Sequence, residues 1–102
     1  MGLRDLQEMM RNAQRMQEQI QQQMSEMKIE GSSGGGMVKI TIDGHKHVLS
    51  ISIDTEVIKP EEREMLQDLV QAAMNDAMNK ADELMRGQLA GLTAGLNIPG
   101  LT

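Results

Sequence analysis

The chain has no cysteine, phenylalanine, tyrosine or tryptophan among its 102 residues. The first absence excludes a disulfide framework and thiolate chemistry. The other three remove the aromatic platforms on which proteins usually stack single-stranded bases. No apolar run approaches the roughly 20 residues needed to cross a bilayer. The opening "MGLRDLQEMM" also lacks the charged-then-apolar order of a secretion signal, so the expectation is a soluble, cytoplasmic chain. A polybasic block is missing too, and the net charge of -5 argues, by itself, against tight polyanion binding.

In place of the aromatics stand 11 methionines, whose flexible side chains supply adaptable apolar volume. The length suits one domain with a modest core. Charge is unevenly spread: Arg4, Arg11 and Arg15 outweigh Asp5 and Glu8 in residues 1–16, whereas Arg63, Lys80 and Arg86 face seven acids in residues 60–86.

Three zones follow from periodicity. Leu3, Leu6, Met10, Ala13, Ile20, Met24 and Met27 recur at alternating spacings of three and four, interrupted only by Gln17. That heptad pattern predicts a long helical arm over 1–26, which either projects or pairs with a copy of itself. In 27–54 the period changes to two. Met27 and Ile29 flank Lys28, Val38, Ile40 and Ile42 alternate with polar residues, and so do Leu49, Ile51 and Ile53. Three half-buried strands are expected, the last two joined by a hairpin at "DGHK". A four-residue loop there sets Ile40 opposite Leu49 and Val38 opposite Ile51.

The third zone opens at "KPEEREML", where proline at the first turn and following acids suit a helix start. Leu66, Val70, Ala73, Ala77, Ala81 and Leu84 then form a stripe. This second long helix is expected over 60–87, ending near Gly87, with 88–102 a mobile tail. The fold class is therefore α/β in the order α-β-β-β-α, with a three-stranded antiparallel sheet between two long helices.

Candidate chemistry is sparse. In "GSSGGGMVKI", Gly31 and Gly36 have the spacing of a phosphate loop, but Met37 stands where its lysine belongs and a strand follows where a helix is required. A backbone role, positive φ or close approach, is the better reading. His45 and His47 lie two apart without an evident third ligand, so solvated turn histidines are favoured over a metal site. No catalytic triad, carboxylate pair or cofactor fingerprint is present, and neither an enzyme nor a cofactor is expected.

The order "L..MM..AQ.MQE", "IEGSSGGGMVKITIDG", "SISID", "EMLQDLVQAAMNDA" and "GLNIPGL" resembles the YbaB/EbfC family of bacterial nucleoid-associated proteins over nearly the whole chain. The resemblance implies a tight homodimer formed through the sheet regions, with long helices projecting like the arms of tweezers. It also implies binding to double-stranded DNA with little sequence preference, and a place at the nucleoid in its organisation and in gene regulation. No membrane and no small-molecule substrate enter the expectation. Arg4, Arg11 and Arg15, at spacings of seven and four on one helix face, are the expected DNA contacts, together with Lys80 and Arg86. Gly35, Gly36, Val38, Ile40, Ile42, Leu49 and Ile51 are the expected dimer interface. A protein–protein adaptor, gripping apolar partners with Met-rich arms and without direct DNA binding, is the alternative.

Overall fold

The structure is a computed structural model and describes residues 2–96. Helix α1 spans Leu3–Glu26, strands β1, β2 and β3 span Ile29–Ser33, Val38–Ile42 and Val48–Ile53, and helix α2 spans Arg63–Leu96. The order is the expected α-β-β-β-α. The strands form one antiparallel sheet in the order β1-β2-β3, leaving β1 and β3 as edges.

One face of the sheet carries the core. Val38, Ile40 and Ile42 project from the central strand and are fully buried, with Ile29 of β1 beside them. Each such side chain contributes about 1.5–3 kcal/mol through removal from water. Above them lies α2, whose buried contact row is Ala73, Ala77 and Ala81 at helical spacing. Three alanines in line bring the helix axis unusually low. Where α2 crosses β1, a Cβ on Gly31 would collide with the Ala73 carbonyl and the Ala77 amide nitrogen. Glycine there is a steric requirement of the helix–sheet contact. The hydroxyl of Ser33 donates to the Leu69 carbonyl at 2.6 Å and ties the end of the strand to the same helix.

Several sequence expectations need correction. Of "GSSGGG", residues Gly31–Ser33 belong to β1, and only Gly34–Gly36 make the connection, a single tight turn with φ of 60°, 67° and 94°. The β2–β3 loop is one residue longer than "DGHK", and a bulge at Thr41/Ile42 absorbs one more residue of β3. Ile40 therefore faces Ile51, and Val38 faces Ile53. Two added residues preserve the parity of the strand, so the apolar face stays correct while the partners change. In the third zone Leu84 leaves the core row, half-exposed beside an open hollow shared with Lys28 and Ile29. Pro60 opens a separate 3-10 turn, and α2 does not stop near Gly87. Gly87 keeps a helical φ, which costs only about 1 kcal/mol relative to alanine and does not break a helix. The expected tail is thus helical to Leu96, and residues 97–102 lie outside the described residues.

The two kinds of glycine give opposite expectations. Gly31→Ala forces backbone apart and should cost at least about 1–3 kcal/mol by overpacking. Gly35→Ala, with nothing within 4 Å of the new Cβ, carries only the left-handed penalty of about 1–2 kcal/mol. Urea unfolding compares them directly, and loss of the helix–sheet contact predicts the lower midpoint for Gly31→Ala.

Candidate nucleic-acid interface

Helix α1 has 24 residues, about 36 Å of helix, and none of them is buried. Among the described residues, the hydrogen bonds that tie it to the rest of the chain lie in its last turns. There the Gly44 amide donates to the Met24 carbonyl at 2.8 Å, and His45 Nε2 lies 3.2 Å from the Gln21 carbonyl. Beyond this foot the helix is a free arm, and Leu3 at its tip is 80% exposed. The described chain measures 70 × 30 × 15 Å along its principal axes, as a projecting arm requires.

The loop that holds the foot is organised by Asp43, the one buried charged residue of the described chain. Its carboxylate accepts from the backbone amides of His45 at 2.8 Å and His47 at 2.9 Å, and its second oxygen faces His47 Nδ1 at 3.3 Å. The His47 amide is the leading reason that the Asp43 pKa is held below 3.8. Lys46, at φ 66°, reaches from the same loop to Asp82 of α2 at 2.8 Å. Loop, arm and second helix thus meet at one point. His45 and His47 take part in these contacts separately, their ring centroids 6.1 Å apart, and among the described residues no cluster of His, Asp and Glu suits a metal ion.

Along the arm, Arg11 and Arg15 border one shallow hollow with Glu8 and Asn12, and Arg4 lies further toward the tip. Among the described residues none of these three arginines is within salt-bridge distance of a carboxylate. From Arg4 to Arg15 the helix rises roughly 16 Å, about five base-pair steps of ~3.4 Å. Lys80 is placed differently. It pairs with Asp76 at 3.1 Å and donates to the Glu30 carbonyl at 3.1 Å, so its ammonium is engaged against the edge of β1. Arg86 is exposed on α2 near Asp82, whose pKa is lowered chiefly by Lys46 and slightly by Arg86. Lys80 is thus engaged within its own chain, whereas the arm arginines form no salt bridge among the described residues.

The residues expected at a dimer interface also divide. Val38, Ile40 and Ile42 lie beneath α2 of their own chain and offer no free surface. Gly35 and Gly36 sit on the turn between β1 and β2. Leu49 and Ile51, by contrast, are 49% and 53% exposed on β3, because α2 lies over β1 and β2 and barely reaches the third strand. Sequence reasoning named Gly31 and gave its stretch a backbone role by positive φ or close approach, but it missed Asp43 and Asp76. The "DG" turn pointed at Asp43, but nothing local in the sequence links Asp76 to a strand 44 residues away.

The architecture is a projecting helix, with arginines at 4, 11 and 15 along its outer half, on a small α/β body. The chain belongs to the YbaB/EbfC DNA-binding family, which it matches over residues 1–96. It is 60% identical over 74 residues to a nucleoid-associated protein of Staphylococcus carnosus (strain TM300), covering 72% of this chain and 70% of that one. A nucleoid-associated protein of Geobacillus sp. (strain WCH70) is 54% identical over 79 residues, 78% and 73% of the two chains. The fold is similar to that of an uncharacterized protein from Helicobacter pylori, with a TM-score of 0.74 at 20% identity over 91% of this chain and 98% of that one. The family is one of DNA-binding proteins and not of enzymes.

Because the folded pKa of Asp43 is depressed, its stabilisation of the loop is complete above the unfolded value and is lost as pH falls through the folded one. Asp43→Asn should therefore remove part of the stability decline seen below about pH 3.8 and lower the urea midpoint at neutral pH. A set of denaturation curves across pH checks both signs.

Proposed function

We propose that this chain is a nucleoid-associated protein that binds double-stranded DNA as a homodimer, with little sequence preference, and changes the path of the duplex. The observation that carries the reading is the arm itself, a helix with no buried residue and three arginines along it that form no salt bridge among the described residues. An arginine fork suits phosphate, and phosphate contacts fix position without reading bases. Absence of aromatic side chains fits duplex binding better than single-strand binding. Two copies joined through the sheet region would project two arms, and six arginines on one duplex predict a slope of about -5 in log K against log salt. Leu49 and Ile51 are the exposed apolar side chains of the expected interface.

A second reading is favoured by one observation, the exposed Leu3, Leu6, Met9, Met10, Met16 and Ile20 along the same arm. Such a face also suits an apolar protein partner held in a groove. Electrophoretic retardation of several unrelated duplexes, titrated with salt, separates the two. Binding of all duplexes with a steep salt dependence supports the proposal, and its loss in the Arg11→Glu, Arg15→Glu double variant, at unchanged mass in solution, supports the arm as the contact. No retardation at low salt would leave the adaptor reading standing.

A further inference from the structure

Between Glu26, the last residue of α1, and Ile29, the first of β1, the chain has only Met27 and Lys28. A tether that short fixes where the arm begins but not where it points, because each residue keeps two soft dihedrals. The arm is also a long lever. Arg4 lies 20 residues from Met24, roughly 30 Å of helix, so a tilt of about 10° moves it by about 5 Å, more than one base-pair step of ~3.4 Å. Where the three arginines stand therefore depends on what holds the foot.

The "DG" turn of the β2–β3 loop holds it at two points. The Gly44 amide donates to the Met24 carbonyl at 2.8 Å, an acceptor in the last turn that the Met27 amide reaches only at 3.3 Å. One turn back, His45 Nε2 faces the Gln21 carbonyl at 3.2 Å, and because a carbonyl only accepts, the ring carries a proton on that nitrogen when the bond is made. Glycine at 44 is demanded by the approach itself. A Cβ there would stand 2.7 Å from the Met24 oxygen and 2.9 Å from its Cα. Gly44 is not among the positive-φ glycines, so no conformational need competes with that reason. The loop is a braced support: the Asp43 carboxylate binds the His45 and His47 amides, the Asp43 amide donates to the His47 carbonyl at 3.0 Å, and Lys46 is anchored to Asp82 of α2. Two contacts one helical turn apart on such a support oppose both tilt and rotation of α1.

We propose that the β2–β3 loop is the bearing of the arm, with Gly44 and His45 as positioning residues that set the direction of α1 and so the place where its arginines meet a duplex. The proposal rests on the DNA binding proposed above and names residues that aim the contact by acting through α1. An arm held in one direction meets phosphates without first losing the freedom to swing, the general advantage of a preorganised contact. An arm released at its foot keeps its charge but not the placement of that charge.

Because the chain has no cysteine, spin labels can be placed on the arm at Gln7→Cys and on the body at Glu61→Cys of the full chain. Dilution into unlabelled chain confines each measured distance to one copy. With Gly44 and His45 intact the distance distribution should be single and narrow. Gly44→Ala, which adds bulk at the contact, should shift or broaden it at unchanged helix content, and should reduce the salt slope of duplex retardation from about -5 to about -3, since the arginines of one arm then engage at a time. His45→Ala adds no bulk and should broaden the distribution, and His45→Gln, whose amide donates to the same carbonyl, should narrow it again. A lower melting temperature with distance and slope unchanged in both Gly44→Ala and His45→Ala marks a merely structural contact and overturns the proposal. So does a displaced arm that keeps the wild-type slope. No retardation by the unsubstituted chain would sink the DNA reading instead, while the distances still decide what holds the arm.

Discussion

The close contact between Gly31 and the backbone of α2 is the constraint on which the rest of the molecule depends. Helix and sheet normally keep their distance because side chains stand between them. Here Ala73 and Ala77 on one side and a hydrogen on the other let the Ala73 carbonyl and the Ala77 amide come down onto the strand. The approach buries Val38, Ile40 and Ile42 under only a modest helix surface, which matters in a chain with no aromatic volume to fill a wider gap. It also sets the reach of the polar contacts around the rim. Short side chains such as Ser33 and Asp76 can bridge helix and strand only because the two are that near.

From this packing follows the asymmetry of the sheet. By sitting low over β1 and β2, α2 covers two strands well and the third hardly at all. The same displacement brings Asp76 and Lys80 to the rim of β1 and leaves Val48, Leu49 and Ile51 in water. A helix centred on the sheet would have buried more apolar surface within the chain. Satisfying the edge at β1 with an ion pair adds little stability of its own, since exposed pairs contribute about 0–1 kcal/mol. Its effect lies in which backbone groups remain available.

Much of this was legible in the sequence where local period decides structure. The heptad seam of α1, the alternation in "VKITI" and "LSISI", and the alanine stripe of α2 each mark an element and its inward face. Tertiary distances were not legible. Gly31 reads as one glycine among a run, and only the helix above it shows that it differs from Gly35. The strand partners of Ile40 and Val38 were misassigned because a bulge and a longer loop together shift the register by two, an error that hydrophobic patterning cannot detect. Lys80 was expected to contact DNA. Its acid, Asp76, lies in the sequence at a spacing consistent with an ordinary surface pair, and the strand carbonyl it also contacts is 50 residues away.

An acidic chain in a DNA-binding family presents an electrostatic difficulty that the architecture resolves by separation. Lys46 and Lys80 are held by Asp82 and Asp76, so the body of the molecule keeps a surplus of acid. Field from that surplus decays within a Debye length, about 8 Å at physiological ionic strength. Arg15 lies nine residues from the foot at Met24, roughly 13 Å along the helix, and Arg11 and Arg4 are farther still. The arm therefore carries its arginines away from the acids of the body, although Asp5, Glu8, Glu18 and Glu26 lie along the arm with them. A compact chain of the same composition would bring them back together and cancel them. The exposed helix, with no buried residue along its length, keeps its three arginines apart from the acidic body in a chain of net charge -5.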